Sequence, residues 1–195
     1  MMDSGDACLI RSGRLNRRTI VPAIDLKLLV GRLGEPCRKT LEAAAGNTLS
    51  RSNFNVELEH WLLQLLDQPR SDVVLAARAF GIVPAQLTAQ LSAALDHMRT
   101  GNGRAPALSP ELVDVVKDAW LFASVERGES TLRSGHMLWA MLSDDSVVQR
   151  LISIAPLLRR ISPDILKRDF DVMLSDSAEL PPAGLEPGQV MPPAA

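Results

Sequence analysis

Two histidines, His60 and His136, lie 76 residues apart. Each opens a near-copy of one apolar block, Glu59-His60-Trp61-Leu62-Leu63-Gln64-Leu65-Leu66 against Gly135-His136-Met137-Leu138-Trp139-Ala140-Met141-Leu142. A repeated histidine invites a metal or acid-base role. Neither, however, has a second His, Cys or carboxylate in a ligating spacing such as His-Glu-x-x-His. A neutral imidazole bonding to backbone groups at a helix entry accounts for both, so the expectation is scaffold and no metal site. Cys37, inside an amphipathic helix that begins near Pro36, reads as a core-edge thiol, and no Gly-x-Ser-x-Gly elbow supplies another nucleophile. Glu57, Glu59, Asp144 and Asp145 sit in first turns, where a carboxylate favours the helix dipole. The sequence holds no Gly-Lys pair, so the phosphate-cradling loop is missing and neither catalytic residues nor a cofactor are expected in this chain.

The elements that carry these blocks are themselves repeated. At the spacing of the histidines, Ala43 falls on Ala119, Arg51 on Arg127, Leu62 on Leu138 and Leu66 on Leu142. Farther on the register slips by three, so that Ile82-Val83-Pro84 with Leu87 meets Ile161-Ser162-Pro163 with Leu166. Apolar residues recur at helical spacing almost throughout, and the punctuation agrees. Ser71 can cap a helix to Phe80 that Gly81 terminates, while Pro84, Ser109-Pro110-Glu111 and Ser162-Pro163-Asp164 each begin another. Gly101 to Pro106 separates the halves. Strands have little support, since no hairpin turn joins alternating β-branched runs and the chain has no tyrosine. The predicted fold is all-α: two pseudo-two-fold repeats of about four helices, at 36–100 and 109–175, within a domain over 23–177 that carries one additional N-terminal helix. Residues 1–22 read as a disordered leader, and 178–195, with five prolines and two glycines, as a linker or tail.

Composition narrows the function classes. With 195 residues and 46% hydrophobic content, the chain suits one globular domain with tails. A net charge of −2 argues against non-specific binding to nucleic acid or an anionic membrane. Two cysteines are too few for a disulfide framework, and no apolar run reaches the roughly 18 residues of a membrane span. A cytoplasmic protein without membrane insertion is the expectation.

Two segments deserve a functional reading. Ala77 to Leu87 imitates a helix-turn-helix, yet Ala79 through Met98 holds no Arg or Lys to reach phosphates and base edges. Outside the duplicated halves, Ile24 to Leu33 places Leu26, Leu29, Val30 and Leu33 on one helical face, with Lys27 and Arg32 away from it. Such an added helix either seals exposed surface or forms one wall of a groove.

The paired His-led blocks, the Phe80-Gly81-Ile82 turn followed by Leu87, and the length of the halves together resemble the Clp N-terminal repeat domain of AAA+ unfoldases. More narrowly, Ile24-Asp25-Leu26-Lys27-x-Leu29-Val30-Gly31-Arg32-Leu33, then Cys37-Arg38-Lys39-x-Leu41-Glu42-Ala43-Ala44-Ala45-Gly46 and Asn55 to Leu63, look like the type VI secretion ATPase ClpV (TssH). The resemblance implies a substrate-recognition domain that binds an N-terminal helix of the larger contractile-sheath subunit for sheath disassembly and recycling. It assigns Leu26, Leu29, Val30 and Leu33 to the peptide groove. The ATP and Mg of such a protein belong to AAA+ rings, on the same or an adjacent polypeptide, whose modules these 195 residues do not contain. The alternatives are the N-domain of a general Clp disaggregase that binds adaptors or unfolded chains and, more remotely, a helix-turn-helix regulator. Gly135 departs from the pattern, standing where the first repeat has the acidic Glu59.

Overall fold

A computed structural model describes residues 26–180; the expected leader, Cys8, the start of the leading helix at Ile24 and Asp25, and the tail from 181 lie outside the described residues. Ten helices follow in order: α1 Leu26–Val30, α2 Glu35–Ser50, α3 Leu58–Leu66, α4 Asp72–Ala79, α5 Pro84–Asp96, α6 Pro110–Leu121, α7 Ser134–Ser143, α8 Asp145–Ile154, α9 Pro163–Arg168 and α10 Phe170–Met173. The sequence punctuation works as local chemistry requires. Ser71, Ser109 and Ser162 accept bonds from the amides of Val74, Leu112 and Ile165. Gly81, at φ +66°, ends α4 in the left-handed conformation open to glycine, and α5 leaves at a bend of 115°. The helix-turn-helix imitation is therefore a packed corner, with Leu87, Leu91 and Leu95 of α5 facing the core.

The repeats are α2–α5 and α6–α10. Their register shift has a structural cause. Asp144 both ends α7 and caps α8, whereas the first repeat spends Asp67 to Arg70 between α3 and Ser71. The second repeat then adds a 3-10 turn, Pro156–Arg160, before the Ile161-Ser162-Pro163 entry. Ile82 and Ile161, with Leu87 and Leu166, are buried at equivalent places.

Two short parallel pairings, absent from the all-helical expectation, join the halves. Strand β1, Asn55–Val56, pairs with β2, Ala107–Leu108, and Leu33 bridges Leu132. Each pairing sets the segment entering one repeat beside the loop that leads to the histidine helix of the other. Ser109 N donates to Val56 O at 3.0 Å; Gly34 N donates to Leu132 O at 2.8 Å. Buried backbone groups that no helix can serve thus find partners across the pseudo-two-fold.

The histidines complete this corner. The amide of Glu57 donates to His60 Nδ1 at 3.1 Å, and the amide of Arg133 donates to His136 Nδ1 at the same distance. Accepting at Nδ1 leaves a neutral ring its proton on Nε2. In the first repeat Nε2 faces Asn53 Oδ1 at 3.2 Å; in the second, Glu129 Oε1 stands 3.4 Å away as a charged contact rather than an aligned bond. Asn53 and Glu129 share the 76-residue spacing of the histidines. Burial, then the charge of Arg51, pushes His60 down to about 4. Burial alone would raise Glu129, but His136, Arg127 and Arg133 offset it and hold the carboxyl below its usual range.

A second cluster closes the junction from the C-terminal side. Glu179, expected within the linker, is 7% exposed. Its carboxylate accepts from the amide of Asp72 at 3.0 Å, from the amide of Ser134 at 2.6 Å and from Cys37 Sγ at 3.1 Å, so one side chain serves the N-termini of α4 and α7. Residues 178–180 therefore belong to the folded body, and an expected boundary at 177 falls short. Buried Asp72 in turn accepts from Arg133 Nε at 2.9 Å and from the amide of Gly135 at 3.2 Å. That contact explains the missing acid. A Cβ on Gly135 would stand 2.8 Å from Asp72 Oδ2, 2.8 Å from Leu174 Cδ1 and 2.9 Å from Phe170 Cζ. The first repeat uses the space differently, for buried Glu59 paired with Arg150 of α8.

Gly135→Ala should therefore destabilise the fold by about 1–3 kcal/mol through overpacking, despite alanine's helix propensity. Gly46→Ala, within α2 where an added Cβ meets nothing within 4 Å, should instead stabilise it by about 0.5–1 kcal/mol. Urea unfolding of both variants tests the opposite signs. Because the folded state disfavours the protonated form of His60, the unfolded chain binds the extra proton below its pKa of roughly 6.5. Stability should fall as pH drops from that value towards about 4. A pH series of urea midpoints should show a shallower slope over this window in His60→Gln than in the unsubstituted chain.

Candidate functional site

Helix α1 is the only described element outside the two repeats, and it packs on α6. It ends earlier than its sequence pattern predicts, at Val30. After Val30 the backbone tightens, with Arg32 N donating to Leu29 O at 3.0 Å and Leu33 N to Val30 O at 3.2 Å. Leu132 N then donates to Arg32 O at 2.7 Å, which draws the chain into the cross-repeat bridge. Leu33 is therefore a bridge residue and no continuation of the helical face. Gly34 suits this close approach, since a Cβ there would lie 3.3 Å from both Leu132 O and Thr131 Cγ2, tighter than ordinary van der Waals contact.

The four carried-over residues occupy different environments. Leu29 and Leu33 are buried in the common core, 2% and 4% exposed. Leu26 and Val30 are half-buried. Leu28, which the pattern leaves off the predicted face, is 68% exposed. The four residues thus do not share one exposed face: Leu29 and Leu33 pack inward, and the accessible apolar surface of α1 belongs to Leu28 with parts of Leu26 and Val30. Periodicity could not find Leu28, because it reports which residues share a face and not which face the body covers. Arg32 lies over the Trp120 ring of α6, 5.2 Å from its centroid, and ties the end of the wall to the second repeat.

This surface offers shape and apolar area. Among the described residues, no three His, Cys, Asp or Glu side chains are grouped to hold a metal ion. Burial, then Glu179, pushes the Cys37 thiol well above its usual value, so its proton stays on sulfur. Far from being a core-edge group, Cys37 is fully enclosed. A separate recess of about 490 Å³ lies between α2 and the end of α3, lined by Pro36, Lys39, Gln64 and Pro69 and closed by Ala178 and Glu179. No residue of α1 lines it. No single helix among the described residues is long and apolar enough to cross a membrane.

Comparison with known proteins gives this architecture its relatives. The family model described as the Clp repeat (R) N-terminal domain matches residues 32–154. The AAA+ ATPase ClpV1 of Pseudomonas aeruginosa is 32% identical over 151 residues, covering 77% of this chain and 17% of that protein. The chaperone protein ClpB of Yersinia enterocolitica is 32% identical over 157 residues, covering 80% and 18%. The chain thus spans less than a fifth of the length of these relatives. Among solved structures, the N-domain of ClpV from Vibrio cholerae superimposes with a TM-score of 0.74 at 35% identity, covering 80% of this chain and 93% of that one. A complex of a ClpV N-domain with a VipB peptide gives 0.71 at 34% identity, covering 80% and 96%. With its two interlocked helical repeats and its match across most of their length, the chain belongs to the Clp repeat N-terminal domain family and resembles the N-domains of ClpV.

Proposed function

We propose that this chain is a substrate-recognition domain of a type VI secretion AAA+ unfoldase and binds a helix of the contractile-sheath protein. The observation that carries the reading is its likeness to the ClpV N-domain solved with a VipB peptide, over 96% of that chain. In this reading the partner is the N-terminal helix of the larger sheath subunit. It lies against the wall built by α1, with apolar anchors meeting Leu26, Leu28 and Val30 while Leu29 and Leu33 hold the wall from behind. A single helix in a shallow groove gives a Kd on the order of micromolar, about −8 kcal/mol. AAA+ rings, carrying the ATP and Mg, act on what this domain captures.

The equally similar ClpB relative supports a second reading, the N-domain of a general disaggregase that takes unfolded chains or adaptors. The two readings differ in ligand, so titration of the chain with a sheath N-terminal peptide and with a heat-denatured model protein separates them. Leu28→Asp, at an exposed position, should leave the unfolding midpoint unchanged and weaken the sheath peptide roughly tenfold. Leu29→Asp buries a carboxylate without a partner and should lower stability by several kcal/mol, so that binding is lost together with the fold of the wall. Unchanged peptide affinity in Leu28→Asp would remove α1 from the site, and preference for denatured protein would favour the disaggregase reading.

A further inference from the structure

The second repeat carries a groove between the end of α6 and the histidine helix α7. After Leu121 helix α6 continues as a π-helix, Phe122–Glu126, whereas its counterpart α2 runs unbroken to Ser50. A π turn widens the helix by one residue, a distortion frequent at functional sites. Here Leu121 and Val125, one turn apart, stand 55% and 75% exposed. Below them Phe122 stacks on Trp139, with centroids 4.0 Å apart, and buried Ala140 completes the floor of a recess of about 450 Å³. Exposed apolar side chains over an apolar recess form the kind of patch that marks an interaction site.

Three carboxylates, Asp118, Glu126 and Asp144, line the groove. Lys167 pairs with Glu126 and lies 5.7 Å from the Phe122 centroid and 5.4 Å from that of Trp139, so it answers that one acid at the edge, while Lys117 pairs with Asp114 at 2.7 Å. Asp144 caps α8 through the amides of Ser146 and Val147, and among the described residues no cation comes within ion-pair distance of it or of Asp118. Partial burial, then Asp144 and Asp114, raises the Asp118 carboxyl above its usual range, as expected where like charges crowd an apolar wall.

We propose that this groove docks an amphipathic helix whose apolar side chains are flanked by lysine or arginine. Apolar anchors at successive turns cover Leu121, Val125 and Trp139, and a cation one turn away meets Asp118 and Asp144. Complementary charge of this kind selects the partner and speeds encounter, while the apolar contact supplies the affinity. No residue of α1 lines the groove, so this surface is separate from the one assigned to the sheath helix and does not depend on that assignment.

The test uses the full chain and two labelled peptides of about four helical turns, one alternating Leu with Lys and one with Glu replacing Lys. The Leu/Lys peptide should bind, change the tryptophan emission and weaken with added salt, while the Leu/Glu peptide should not bind. Val125→Arg, at an exposed position, should weaken the Leu/Lys peptide roughly tenfold, and Asp118→Asn with Asp144→Asn should flatten its salt dependence; asparagine retains the α8 cap. Leu28→Asp should leave this binding unchanged. Equal binding of both peptides, or no effect of Val125→Arg, would overturn the proposal. So would loss of the sheath peptide in Val125→Arg but not in Leu28→Asp, since the groove would then be the sheath site itself.

Discussion

The backbone entering each repeat is paired with the other: Leu33 bridges Leu132, and Asn55–Val56 pairs with Ala107–Leu108. Buried amides and carbonyls left without partners would be costly, so neither half of the duplication can close its corner alone. The remaining features build on that exchange. His60 and His136 fasten the loops that present Val56 and Leu132, and Trp61, beside the first histidine, donates through Nε1 to Thr40 of α2 at 3.0 Å. Even α1 is held through it, because the strand that follows α1 is the one bridged to Leu132.

Duplication does not make the halves chemically equal. Arg51 pairs with Asp96 in the first repeat, and its counterpart Arg127 pairs with Asp171 in the second. Yet the neutral Asn53 beside His60 becomes the charged Glu129 beside His136, and the acid that the first repeat carries on its own helix at Glu59 is supplied to the second by Asp72 from the opposite half. The second repeat gathers cations over an aromatic cluster, with Arg127 4.3 Å from the Phe170 centroid and Phe170 stacked 5.0 Å from His136. The drift is compensated from two sides: Glu129 meets Arg127 and Arg133 of its own repeat, and Gly135 meets Asp72 from across the pseudo-two-fold.

Most of the fold was legible in the residues. Serine caps, prolines at first turns and Gly81 act through contacts within a few residues, so local spacing reports them, and the His-led blocks report the repeat because they recur intact. The two-residue strands were not legible: what defines them is a partner about fifty residues away or, for Leu33, nearly a hundred. Glu179 was hidden for the same reason, inside a composition that reads as linker until its carboxylate is placed beneath two helix ends. For α1, periodicity named the side that the body covers. Leu28, Leu121 and Val125 stand out only once the body covers their neighbours.

Glu179 also fixes where a pull on the C-terminal segment would meet the folded body. The carboxylate is gripped by the first turn of α4 in one repeat and of α7 in the other, and Ala178 N donates to Arg70 O at 2.9 Å just before it. Tension applied along the chain beyond Leu180 reaches both repeats at once through these bonds, near the middle of the domain. A pull there strains the shared seam in parallel and does not peel a terminal helix turn by turn. The C-terminal segment is in this sense fastened at the seam between the repeats and not at an outer helix.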